Sequence, residues 1–170
     1  MKIFGVIVLV LLIAGGLIYA DGARMPATHE VSVTGVVPAP VDKVFAMITD
    51  VKDGNVWRPE VKSVTTLMPD HGRDHWVEHL GHGQYMTFLA VQTVPPTLRQ
   101  VKLDEPRAAY GGTWTYELSP GPTAASTMLK ITEDGYINPP IYRFVMAHII
   151  GPTKNLDDYM KDIQAAAGRY

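Results

Sequence analysis

The stretch Asp74-His75-Trp76-Val77-Glu78-His79 decides how the middle of this chain is built. His75, Glu78 and His79 spell H-x-x-E-H, the pattern of one class of zinc peptidase. His71, His75, His79 and His82 recur every three or four residues, as one face of a helix would. The metal chemistry requires that helix. There, positions i, i+3 and i+4 share a face, so two imidazoles reach one zinc and the glutamate acts as general base. On a strand, His75 and His79 stand about 13 Å apart at about 3.3 Å per residue. Two Zn–N bonds of about 2 Å do not bridge that gap.

The neighbouring residues select the strand. Gly72, Gly81 and Gly83 bracket a window too short for an isolated helix to be stable. Pro69-Asp70-His71-Gly72 reads as a turn. His75 to Leu80, then Gly81-His82-Gly83, then the residues from Gln84 read as a hairpin. On that strand Trp76, Glu78 and Leu80 share one face, and His75, Val77 and His79 the other. The apolar pair Trp76 and Leu80 turns the first face inward and carries Glu78 with it. Glu78 then has two readings: a carboxylate at the strand end, solvated or paired with an arginine, or a polar anchor for a ligand or a general acid or base.

Strands dominate outward from this point. Val61 to Leu67 is rich in Val and Thr, which suits a pleated surface. Gln84 to Val94 places Met86, Phe88, Ala90 and Val94 on one face, and Pro95-Pro96 ends it. Leu98 to Leu103 follows. Gly112 to Leu118 alternates, with Trp114, Tyr116 and Leu118 on one side. Ser119-Pro120-Gly121-Pro122 is a turn, and Ser126 to Glu133 sets Thr127, Leu129 and Ile131 on an apolar face. Before the hairpin, Thr28 to Val37 alternates through Val31, Val33 and Val37. Pro40 to Thr49 has helical spacing at Val41, Val44, Phe45 and Ile48, with proline suited to the first turn. Val56 to Glu60 is a brief turn or short helix carrying Trp57. From Ile141 to Ile163 the period changes to 3.6, predicting one long helix from Pro140 to Ala167, kinked at Gly151-Pro152. Strands with short helices ahead of them and a long helix after them make an α+β domain.

The N-terminus is of another kind. Ile3 to Ala20 holds no charge and follows Lys2. As a helix it spans about 27 Å at about 1.5 Å per residue, close to the ~30 Å hydrocarbon core. It is either an uncleaved transmembrane anchor or a secretory signal, with Ala20-Asp21-Gly22 as an imperfect cleavage site. The length of the run favours the anchor. Lys2 on the near side favours export of the remainder of the chain, while Arg24 on the far side opposes that orientation. The chain is thus divided into residues 1–22, the anchor or signal, and a domain over residues 28–168.

Composition removes several function classes. The chain has 170 residues and a net charge of −2, with no basic run of the kind a nucleic-acid surface needs. It has no cysteine, which removes disulfides, thiolate metal sites and cysteine nucleophiles. There is no Gly-x-Ser-x-Gly and no glycine-rich phosphate loop. No cofactor is expected.

Val36-Val37-Pro38-Ala39-Pro40-Val41-Asp42-Lys43-Val44-Phe45, Asp50 with Trp57-Arg58-Pro59, and Gly111 to Leu118 with Thr132-Glu133-Asp134-Gly135 together resemble the START-like or SRPBCC superfamily. That group includes the birch-pollen-allergen fold and polyketide cyclase/dehydrase-like proteins. The resemblance covers nearly everything after the N-terminal segment. It implies a helix-grip fold, in which a curved antiparallel sheet wraps a long C-terminal helix around an apolar cavity. It implies a hydrophobic or lipid-like ligand as partner, and it brings no catalytic motif. On that fold Trp57, Trp76, Glu78, Phe88, Trp114, Tyr116, Tyr142 and Met146 are the candidate ligand-binding residues, against the plainer reading that such aromatics are core. Met86 and Met128 add adaptable surface. His148 is expected as a satisfied buried histidine; Arg143 and Glu133 as exposed or paired. The function expected is membrane-tethered binding of a small hydrophobic ligand. The alternatives are a cyclase/dehydrase-type enzyme, and a structural partner in a membrane complex with its cavity filled.

Overall fold

The computed structural model describes residues 2–168. Its centre is a seven-stranded antiparallel sheet formed by β1 (Thr28–Val37), β2 (Val61–Thr66), β3 (His75–Leu80), β4 (Tyr85–Val94), β5 (Leu98–Leu103), β6 (Tyr110–Pro120) and β7 (Thr127–Ile137). The strand order is β1-β7-β6-β5-β4-β3-β2. Consecutive strands from β2 to β7 are neighbours, as hairpin-connected strands should be. The first strand crosses to pair with the last, Val31 opposite Glu133 and Val37 opposite Thr127. Register shifts between Ala90 and Gln92, and between Val61 and Ser63, mark irregularities of the kind that bend a sheet. The sheet is curved and the fold is helix-grip.

The opening stretch is a strand with the bounds its sequence indicates. Trp76 and Glu78 are buried, whereas His79 is exposed. His75 and His79 project on the opposite face. His75 lies 3.4 Å from Asp104 and His79 shares a 3.1 Å hydrogen bond with Thr65.

Two short helices lie between β1 and β2: α2 (Val41–Thr49) and α3 (Gly54–Trp57), joined by a 3₁₀ turn over Val51–Asp53. α2 buries Val44 and Ile48. After the sheet the chain is helical again, but the single kinked helix that its periodicity predicts is in fact two. α4 (Pro140–Val145) runs into a π-helical turn at Met146–Ile150, and α5 (Lys154–Ala167) starts afresh. Gly151 stands between them at φ 100°, a region that side chains disfavour and glycine enters freely. Pro152 also biases its predecessor away from helix. The apolar spacing runs through the break because each half is amphipathic by itself.

α5 is the helix held against the sheet. Leu156, Met160, Ile163, Ala166 and Ala167 are buried on it and join Val37, Val44, Leu129 and Ile131 in one cluster. Ile163, Leu129 and Ile131 are fully buried, each contributing about 1.5–3 kcal/mol relative to exposure. Gly35 on β1 permits the approach, since a Cβ there would lie 2.8 Å from Met160 Sδ.

At the N-terminus, α1 (Lys2–Arg24) is a continuous helix whose side chains from Ile3 to Leu17 stay exposed. It is long and apolar enough to cross a membrane. Its C-terminal end packs on α4.

Candidate functional site

A cavity of about 400 Å³ lies between the concave face of the sheet, the α2–α3 segment and α5. Its walls are aromatic because alternate positions of neighbouring strands point the same way. Trp76 and Phe88 are opposite each other on β3 and β4 and stack with ring centroids 5.6 Å apart. Phe88 meets Trp114 of β6 edge to face at 5.9 Å. The other wall comes from the helices. Trp57 at the end of α3 meets Tyr159 of α5 edge to face at 5.1 Å, and Tyr159 lies 5.2 Å from Tyr116 of β6. Such pairs favour a defined wall over a fluid one, by about 0.5–1.5 kcal/mol each beyond area burial.

A largely buried ion pair, Arg58 with Glu78, stands in this surface. Glu78 is 5 % exposed. Its Oε1 accepts from Arg58 Nη1 at 2.8 Å and from Trp76 Nε1 at 3.3 Å. Its Oε2 is buried and has no partner within the protein. Arg58 also donates through Nε to Glu60 at 2.8 Å, and its guanidinium sits 5.5 Å from the centre of the Tyr159 ring. Burial opposes the charge on Arg58, but Glu78, with Tyr159 and Glu60, outweighs it and holds the guanidinium above its ordinary range. The indole Nε1 of Trp57 is a second buried polar atom on this cavity's lining without a partner.

The phenols are kept neutral. Burial pushes Tyr116 up to about 12, with the positive Arg58 pulling the other way. Burial, reinforced by Tyr116, raises Tyr159 as well. A neutral phenol both donates and accepts. The cavity thus offers an aromatic surface, two phenol hydroxyls and the buried Glu78 Oε2 able to accept a further hydrogen bond, with Asp50, Glu60 and Asp158 also on its lining.

A second cavity, of about 410 Å³, lies between the far end of the sheet and the α4–π segment. Met86, Trp114 and Asn155 line both cavities. Here Tyr142, Val145, Met146 and Ile150 face β6 and β7, and the polar residues include Asn155 and the pair His29 and Glu133, with His29 Nε2 3.3 Å from Glu133 Oε1.

The eight candidate residues therefore fall into two groups. Trp57, Trp76, Glu78, Phe88 and Tyr116 line the first cavity, Tyr142 and Met146 the second, and Trp114 both. The sequence reading missed Arg58 and Tyr159. Arg58 lay inside a stretch already singled out, and a buried glutamate on β3 needed an arginine somewhere. Tyr159 was visible only as one apolar position on α5. His148 is a correction: it is not buried, its side chain is half exposed, and its Nε2 lies 3.0 Å from Asp21 Oδ2. Its apolar neighbours suggested a core face, but the π segment turns that position toward the end of α1. Arg143 is occupied by backbone, donating to the carbonyls of Met25 and Asn138. Among the described residues no group of three or more His, Asp or Glu side chains is placed to hold a metal ion.

Residues 28–161 match the family model described as polyketide cyclase / dehydrase and lipid transport. No curated protein matches the chain. Among solved structures, an aromatase/cyclase from Streptomyces sp. R1128 superposes with a TM-score of 0.67 at 18% identity, over 84% of this chain and 94% of its own. A START superfamily protein from Mycobacterium smegmatis gives 0.63 at 20% identity, over 83% and 98%. A norcoclaurine synthase from Thalictrum flavum gives 0.64 at 13% identity, over 89% and 92%. At these identities the likeness shows the fold alone.

Proposed function

Because the chain belongs to the polyketide cyclase / dehydrase and lipid transport family, we propose that it binds a small hydrophobic, lipid-like molecule between the sheet and α5, tethered to a membrane through residues 3–20. The observation that carries this reading is the Glu78 carboxylate. It is buried in an aromatic cavity, half satisfied by Arg58 and Trp76, with Oε2 left over. A buried acceptor without a partner costs roughly 1–3 kcal/mol, and a ligand hydroxyl relieves that cost. The ligand this favours is largely apolar, with one hydrogen-bond donor for Glu78 and an aromatic or ring-like body for Trp76, Phe88 and Trp114. The volume of about 400 Å³ lies within the range of small-molecule sites, about 300–1,000 Å³. That volume weighs against a filled, purely structural domain.

The tether reading draws on α1, which is long and apolar enough to span. Lys2 ahead of the apolar run favours placing the domain on the exported side. Organic extraction of the full-length protein, purified in detergent, followed by mass spectrometry, tests the binding function. A hydroxylated hydrophobic compound near one per chain is expected. An extract holding only detergent and bulk lipid, in proportion to the membrane, contradicts it.

A second reading has its own observation. Glu78 and the neutral phenol of Tyr116 face the same cavity, which is a carboxylate and an acid side by side, as enolisation and dehydration chemistry use. Turnover of a polyketide-like substrate that is abolished in both Glu78→Gln and Tyr116→Phe supports this reading; binding without turnover supports the first.

A further inference from the structure

The end of α1 is fastened to the wall of the second cavity. Gly22 lies so close to α4 that a Cβ there would stand 1.9 Å from the carbonyl oxygen of Pro140. Asp21 Oδ2 pairs with His148 Nε2 at 3.0 Å. Arg143 Nη1 donates to the carbonyl of Met25 at 2.6 Å, just beyond the helix. Three contacts thus join residues 21–25 to Pro140–Ile150.

If residues 3–20 fill the hydrocarbon core, residues 21–25 lie at its surface, because 18 residues of helix rise about 27 Å and the core is about 30 Å thick. Pro140–Ile150 is held at that level with them. It is an apolar segment, and it presents Ile141, Tyr142, Ile149 and Ile150 at 49, 53, 70 and 46 % exposure. Isolated apolar side chains on a surface are ordinary, but four on an eleven-residue segment beside a membrane span form a patch with a ready partner. The other side of the same segment lines the second cavity through Val145 and Met146. Tyr142 and Ile150 do both, lining the cavity while half exposed, so they form its rim.

We propose that Pro140–Ile150 lies in the headgroup–acyl boundary of the membrane that α1 crosses, with its isoleucines in the lipid and the rim of the second cavity at the bilayer surface. This rests on the tether reading. A short apolar element in that position sits about 5–10 Å into the interface. The lipid surface is then the source from which an apolar ligand reaches the sheet without passing through water. Tyr142 suits the rim, because tyrosine places an apolar ring and a polar tip at such boundaries.

The absence of cysteine makes the test direct. Single-cysteine variants Ile149→Cys, Ile150→Cys, Leu12→Cys and Met68→Cys of the full-length chain are spin-labelled and reconstituted in phosphatidylcholine–phosphatidylglycerol vesicles. Accessibility to lipid-soluble oxygen is compared with accessibility to a water-soluble nickel chelate. Leu12, Met68 and Ile149 are well exposed and Ile150 is half exposed at the cavity rim, so no label enters the packed core. The expected result is an oxygen-to-nickel ratio severalfold higher at residues 149 and 150 than at Met68, approaching that at Leu12. Ratios at 149 and 150 equal to that at Met68, with Leu12 in lipid, overturn the proposal while leaving the tether standing. Labels at 149 and 150 closed to both reagents mean that a protein covers the patch, and also overturn it. A water-exposed Leu12 removes the tether and this proposal together.

Discussion

Arg58 Nη1 and Glu78 Oε1 stand 2.8 Å apart across the first cavity, one from the residue after α3 and the other from the middle of β3. The pair has two structural effects. It ties the α2–α3 segment to the sheet at the cavity's edge, and it sets a buried charged pair beside the aromatic wall.

Breaking that pair from one side should be expensive. Glu78→Ala leaves a largely buried guanidinium with only Glu60, and a loss of about 3–5 kcal/mol is expected. Replacing both, Arg58→Met with Glu78→Leu, should restore most of the stability because no charge is then stranded. Urea unfolding in detergent, followed by tryptophan emission, measures both. A double variant as unstable as the single one would show that the pair holds the fold by more than charge neutralisation.

Alkaline titration reads the buried phenols. Tyr116 is pushed up to about 12, against an ordinary value of 10.0, so folding favours its neutral form. Its contribution to stability is complete below pH 10 and is lost as pH rises from 10 through 12. At about 1.4 kcal/mol per pKa unit this is on the order of 3 kcal/mol. Tyr116→Phe should flatten part of that loss, leaving the part due to Tyr159. In the native protein these two phenolates should appear in the near-ultraviolet spectrum only above the ordinary tyrosine range.

The contact between α1 and α4 is testable at Gly22. A valine there collides with the Pro140 backbone, which cannot rotate out of the way as a side-chain tip could. Gly22→Val should separate the two helices and raise amide hydrogen exchange over residues 140–150, with exchange in β3 to β6 unchanged. Unaltered exchange over 140–150 would mean that the segment is held in place without α1.

The grip of α5 on the sheet depends on fully buried side chains, and Ile163 is the largest one on that helix. Ile163→Ala should cost about 2–5 kcal/mol. Denaturant midpoints compared at constant slope give the value.

Much of the fold is legible in the sequence, for a physical reason. Side chains on a strand alternate, so Trp76 and Glu78 inward and His79 outward follow from the pattern at 75–80 alone. The N-terminal run announces itself by the absence of charge. The division of residues 140–167 into two helices is not legible in the same way. Gly151-Pro152 marks a kink, but apolar spacing continues through it, and the backbone at φ 100° turns that kink into a full break. The aromatic lining was readable as a set of inward positions. Its polar partner was not, because Arg58 meets Glu78 through tertiary structure and nothing local marks an arginine for burial. His148 misled for the opposite reason: its apolar neighbours either line the second cavity, as Val145 and Met146 do, or stay exposed, as Ile149 and Ile150 do, and none is core.

The central claim is that the first cavity holds a hydrophobic ligand, and all three tryptophans of the chain line it. Their emission therefore reports its occupancy directly. Full-length protein in detergent is titrated with a brominated long-chain alcohol, which carries both an apolar quencher and a hydroxyl for Glu78. The account predicts saturable quenching at about one alcohol per chain, weakened in Glu78→Gln. Quenching that rises linearly without saturation, equal to that of a free tryptophan analogue in the same detergent, would contradict it.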